Sequence, residues 1–254
     1  MVATRNHPTN FPPPDLSQSK ASATRARSAP THQWIHTPKA LTLLWLIVSL
    51  PLVIWDTGYV VLRPHSMPGG KWHQPFYTPY ALYGTVDYVY GWPAYESGDG
   101  FTMAQSGMNV FETIGYLGYL YIFWMHGEGQ WALTKGQSRS IGGGWGGLAC
   151  LLGFSLSILT FSKTMLYALN EHFSDYRNIG HNSFSRLLFL YIIPNGAWIV
   201  LPAYMIYAFG FDILQGLSIA GGDRDSKPPR ATKPNSTPSP ATSASKRSTP
   251  TKDD

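Results

Sequence analysis

The stretch "ALTLLWLIVSLPLVIWDTGYVVL", residues 40–62, decides the fold. It carries a single charge, Asp56, and a single proline, Pro51. At 1.5 Å per residue, an apolar run of about 20 residues matches a bilayer core about 30 Å thick. A second run, "FTMAQSGMNVFETIGYLGYLYIFWM", residues 101–125, also carries one charge, Glu112. A carboxylate at bilayer depth costs about 2.5–3.5 kcal/mol on insertion scales, so it faces a protein interior and serves a function. Two such acids on consecutive helices predict an intramembrane acid–base or cation-binding site.

Working outward, two further runs of the same kind cover residues 146–169 and 187–209. Pro194 and Pro202 lie in the last of them and are tolerated as kinks in bundled membrane helices. The expected fold is therefore all-α: a polytopic membrane bundle of four transmembrane helices, with the domain spanning residues 40–212. Residues 1–39 and 213–254 are expected to be disordered cytosolic tails. Their content of Pro, Ser, Thr, Ala, Lys and Arg buries too little surface to offset the entropy of ordering. The mean hydropathy of −0.11 averages these two unlike parts.

Charge sets orientation. Of 19 Lys and Arg, five lie in the N-terminal tail and seven in the C-terminal tail. The positive-inside rule then places both ends in the cytosol, in agreement with an even number of spans. The same distribution argues against nucleic acid as a partner, because the basic residues are dispersed among Pro and Ser and suit a solvated tail near anionic lipid. The first apolar run begins too late, and is too long, for a cleaved signal peptide, so the first helix is expected to act as an uncleaved anchor. The one cysteine, Cys150, excludes an intrachain disulfide, and CxxC-type metal spacing is absent, so no metal or cofactor is expected. Residues 63–100, crowded with Pro, Gly, Trp and Tyr, are expected to form an ordered luminal cap at the membrane interface. The segment "GQSRSIGGGWGG", residues 136–147, reads as a flexible cytosolic turn.

Depth along each span brings the polar groups together. Asp56 lies roughly 9 Å from the luminal end of its span, Glu112 roughly 16 Å, Lys163 roughly 9 Å, and Asn195 and Trp198 roughly 12–16 Å. Asn109, Glu112, Tyr116 and Tyr119 form one helical stripe, and Thr160, Lys163 and Tyr167 another. Asp56 and Glu112 are the candidate acid–base residues. Tyr59, Asn109, Tyr116, Lys163, Asn195 and Trp198 are candidates for lining a substrate site. For Lys163 two readings stand: its side chain snorkels to the interface, or it pairs with a carboxylate.

At these residues the chain resembles a known family. "TMLYALNEHFSDYRNIGHNSFSRLLFLYIIPNGAWIVLP", residues 164–202, resembles the last two helices of the emopamil-binding, sterol Δ8–Δ7 isomerase-like proteins of the EXPERA domain family. "FTMAQSGMNVFETI", residues 101–114, resembles the segment carrying the family's essential glutamate, and "LVIWDTGYVVL", residues 52–62, the helix with its other acid. The resemblance implies that Asp56 and Glu112 act in proton transfer and that Asn195 and Trp198 stabilise a cationic ligand or carbocation. It implies residence in the endoplasmic reticulum, a hydrophobic small-molecule substrate and contact with membrane lipid, and leaves homodimerisation open. Leu52 stands where the family has His, Gly115 where it has Thr, and Lys163 has no counterpart, so the expected substrate is a sterol-like or terpenoid alkene rather than the family's own sterol. The competing expectation is a non-catalytic binder of sterols or amphiphilic amines, of the sigma-receptor type. A proton-coupled carrier fits less well, since no internal repeat is present.

Overall fold

Helix α1, Ala40–Val61, has 22 residues and a length of about 33 Å. Its outward residues Leu41, Leu44, Ile47, Val48, Leu52 and Ile54 are exposed, while Thr42 and Ser49 are buried. Leu43, Leu46, Leu50, Tyr59 and Val60 are buried with them, so the helix is apolar on both faces, unlike a soluble helix, whose outer face is polar. In this computed structural model residues 33–129 and 139–221 are described, and the tail expectations for residues 1–32 and 222–254 lie outside them.

Three long helices complete the bundle. Helix α4 spans Phe101–His126 and α5 spans Gly143–Phe173. The last is continuous over Phe184–Ala220: a short α6 (Phe184–Leu187), a π-helical turn (Leu188–Ile192) and α7 (Ile193–Ala220). Pro194 has no N–H to give the preceding turn, which accounts for the widened turn just before it. Helix α4 packs between α1 and α5, and α5 packs along α7. Gly153 makes the α5–α7 approach close, since a Cβ there would run into the Phe209 ring.

Helix α1, helix α5 and the Phe184–Ala220 helix are long and apolar enough to cross a membrane, which points to an integral membrane protein. Helix α4 has the length but not the hydropathy. Thr102, Ser106, Asn109, Glu112, Tyr116 and Tyr119 form a buried stripe along it, while Met103, Val110, Phe111, Ile114, Leu117 and Trp124 are exposed.

The connection between α1 and α4 is ordered, as its aromatic content predicts. A π-helical turn (His73–Tyr77) is followed by α2 (Pro79–Val86) and α3 (Trp92–Glu96). Ser66 Oγ donates to the Tyr59 carbonyl at 2.5 Å, Arg63 Nη1 to the Val89 carbonyl at 3.2 Å, and Asn182 Nδ2 to the Val86 carbonyl at 2.7 Å. These bonds tie the cap to α1 and to the α5–α6 loop.

Three expectations need correction. The fold is mostly helical but not all-α: β1 (Ile35–His36), β2 (Gly127–Glu128) and β3 (Ser140–Gly142) form an antiparallel sheet in the order β1-β3-β2. Residues 140–147 are thus not a loose turn. They are a strand followed directly by α5, with Gly143 at φ +60 making the junction. Nor does structure begin at residue 40 or end at residue 212: His36 is buried in β1, and α7 continues to Ala220.

Candidate functional site

Asp56 is half-buried near the C-terminal end of α1, beneath the cap. Tyr80 donates its hydroxyl to Asp56 Oδ1 at 2.6 Å, and Tyr90 donates to Oδ2 at 3.4 Å. Tyr59, one turn further along α1, is fully buried, stacks on Tyr80 with centroids 3.7 Å apart, and donates to the Tyr90 carbonyl at 2.8 Å. Trp55 lies 4.9 Å from the Tyr80 ring. Burial first, and the Asp56 carboxylate second, push the Tyr80 and Tyr90 phenols well above the ordinary tyrosine value. Both therefore remain hydrogen-bond donors at neutral pH. Tyr83 extends this cluster to Asn195 of α7, whose side chain is in hydrogen-bond contact with it. Asn195 also donates to the Tyr191 carbonyl at 2.9 Å.

Glu112 organises a second network between α4 and α5. Its Oε1 lies 2.9 Å from Lys163 Nζ, and both side chains are nearly fully buried. Lys163 also donates to Asn109 Oδ1. Thr160 donates to Glu112 Oε2 at 2.8 Å and lies 3.3 Å from the Tyr116 hydroxyl. Thr160 has one proton for two acceptors, Glu112 Oε2 and the Leu156 carbonyl at 3.0 Å, so Tyr116 is the donor in its contact with Thr160. Lys163 therefore pairs with a carboxylate and does not snorkel. Its charge also lies within coulombic range of Asp56, an electrostatic link between the two networks.

The predicted site residues are thus brought together in two groups. Asn109, Glu112, Tyr116 and Lys163 form one, and Asp56, Tyr59 and (through Tyr83) Asn195 form the other. Trp198 belongs to neither: it packs edge-on against Trp45, with centroids 4.9 Å apart. Trp45 precedes Asp56 by eleven residues on α1, a rise of roughly 16 Å. A cavity of about 230 Å³, lined by Lys39, Tyr204, Tyr207, Ala208 and Phe211, lies at the end of the bundle where α1 begins, remote from Asp56.

Sequence reasoning missed several participants. Tyr80 and Tyr90 were visible only as part of the cap's aromatic density. Asp87, between α2 and α3, is fully buried, receives the Tyr167 hydroxyl on Oδ2, and accepts from the Val89 amide at 3.1 Å. Burial pushes its carboxyl up to about 8, against the opposing pull of the Val89 N–H. The signal was an acid embedded in "YGTVDYVYGW", residues 83–92, where no charged partner is adjacent.

At the opposite end, His36 of β1 lies between Asp212 of α7, at 2.8 Å from Nδ1, and Tyr119 of α4, at 3.1 Å from Nε2. Comparison with protein-family models, with curated proteins and with solved structures gave no match.

Proposed function

We propose that this chain is a diverged EXPERA-type membrane protein that moves protons on a hydrophobic alkene, as an isomerase or cyclase. In this reading α4 is the fourth span: its polar stripe is turned inward and its apolar residues outward, the arrangement lipid requires of a helix that carries functional polar groups. The cap then faces the lumen of the endoplasmic reticulum, and both ends face the cytosol.

The observation that carries the reading is the Asp56 carboxylate held by the phenols of Tyr80 and Tyr90 under an aromatic cap. A carboxylic acid in low dielectric is poised for proton transfer. In its protonated form Asp56 would add H⁺ to one alkene carbon, and a base would remove a neighbouring proton from the resulting cation. Such a double-bond shift is redox-neutral and needs no redox cofactor. The aromatic rings gathered around Asp56, Trp55 among them, would supply negative quadrupole density for a tertiary cation. Glu112 lies in the other group and would serve as the second acid–base residue only when released from Lys163.

The same aromatic cluster around a carboxylate favours one alternative, a non-catalytic binder of amphiphilic amines or sterols. Aromatic faces beside an acid are how proteins hold substituted ammonium groups. In that case the ammonium would pair with Asp56, because the protein's own Lys163 already occupies Glu112. The amide variant Asp56→Asn separates the two readings, since Glu112→Gln would also leave Lys163 buried and unpaired. If Asp56 transfers protons, the variant retains ligand binding and loses turnover. Weakened amine binding in Asp56→Asn, with no turnover in the wild type, supports the binder and removes the enzyme.

A further inference from the structure

Strand β1, α5 and α7 converge at the end of the bundle where α1 begins, and each contributes one side chain to the same point: His36, Cys150 and Asp212. These are 1 %, 1 % and 6 % exposed. One ligand atom from each, the imidazole nitrogen, the sulfur and a carboxylate oxygen, lies within 4.8 Å of the others. We propose that these three residues bind a divalent transition-metal ion of the zinc type, which fastens the N-terminal strand to the helices.

Four features support the assignment. The donor set is nitrogen, sulfur and oxygen, which suits zinc and its first-row neighbours and does not suit calcium or magnesium. The charges close: a thiolate and a carboxylate neutralise a divalent ion, and the imidazole adds none, so the filled site is neutral in apolar surroundings. The second ring nitrogen of His36 already has a partner in the Tyr119 hydroxyl at 3.1 Å, as metal-bound histidines require to fix their tautomer. The Phe209 ring, 5.5 Å from His36, closes an apolar side of the cluster, while the Phe209 carbonyl accepts from Cys150 Sγ at 3.5 Å.

A hydrogen-bonded His36–Asp212 pair alone would explain those two residues but not the presence beside them of the chain's one cysteine. Metal–ligand distances of about 2.0–2.3 Å about a tetrahedral centre place neighbouring ligand atoms roughly 3.3–3.6 Å apart. The 2.8 Å His36–Asp212 pair must therefore open by roughly half an ångström, and Cys150 Sγ must move inward. As the ion enters, Cys150 loses its thiol proton to solvent. A neutral His36 moves its proton from Nδ1 to Nε2, which then donates to Tyr119, so the imidazole stays uncharged.

The test uses the full chain in detergent micelles, stripped with a chelator and titrated with Co²⁺. The expected result is a thiolate-to-cobalt charge-transfer band that saturates at one equivalent and is bleached by Zn²⁺. Asp212→Asn keeps a hydrogen bond to His36 while removing the anionic ligand, and should weaken Co²⁺ binding by roughly tenfold or more at an unchanged far-UV spectrum. Cys150→Ser should fold and lose the band. Absence of the band in the wild type, or a Co²⁺ affinity unchanged in Asp212→Asn, overturns the proposal.

Discussion

Replacing Lys163 with methionine tests the load on the α4–α5 interface. Lys163 Nζ lies 2.9 Å from Glu112 Oε1, with side chains 7 % and 5 % exposed. At an effective dielectric of about 20, the gross attraction of such a pair is about 6 kcal/mol. Most of that offsets desolvation, so the pair is worth far less than this figure relative to an apolar replacement. Removing one partner is different, because it leaves Glu112 buried and uncompensated and Asn109 Oδ1 without its donor. The expected cost of Lys163→Met is about 3–5 kcal/mol. The double variant Glu112→Gln/Lys163→Met removes both charges, keeps an acceptor for Thr160, and should recover to within about 1–2 kcal/mol of wild type. The assay is reversible unfolding in mixed micelles with increasing SDS fraction, followed by tryptophan fluorescence. A single variant within about 0.5 kcal/mol of wild type, the range of an ordinary surface change, would refute the pairing.

Other outcomes follow from the same geometry. Asp87 carries its proton up to about 8 when folded but ionises near 3.8 when unfolded, so the folded state binds more protons between those values. Stability should therefore fall as pH rises through that window, by up to about 1.4 kcal/mol per pH unit, and level off above it. Thermal unfolding at pH 5 and pH 8 should show this difference in wild type and a smaller one in Asp87→Asn; equal differences would refute it. Gly153→Ala should cost about 1–3 kcal/mol by forcing α5 off Phe209, whereas Gly107→Ala, with open space at its Cβ, should cost nothing; equal melting temperatures for the two would contradict the close α5–α7 packing. Asn235 begins the sequon Asn235-Ser236-Thr237 and should stay unglycosylated if that tail is cytosolic. Glycosidase-sensitive mass on the tail would overturn the topology.

The apolar runs carried most of the helical framework, since a membrane-length helix announces itself by composition alone. The observed bounds of α1 and α4 differ from the expected ones by a single residue at one end. The stripe from Asn109 to Tyr119 was legible because helical spacing puts those residues on one face, and all four are buried. The three strands were not legible, because elements of two or three residues leave no alternating pattern. The His36–Asp212 contact joins positions 176 apart, beyond any local signal. For Asp56, position in the span indicated depth but not partners. Those come from the cap, whose tyrosines reach it only after folding back 24 and 34 residues later in the chain. Depth likewise does not specify which neighbour a ring will meet, and Trp198 packs on Trp45.

The most direct test of the acid–base account is incubation of the purified chain in deuterated water with sterol-like and terpenoid alkenes, followed by mass analysis of the recovered lipid. Protonation at one carbon and deprotonation at another must place deuterium on carbon, and Asp56→Asn must abolish that incorporation. Tight binding of the same compounds with no deuterium on carbon for any alkene tested would contradict the account.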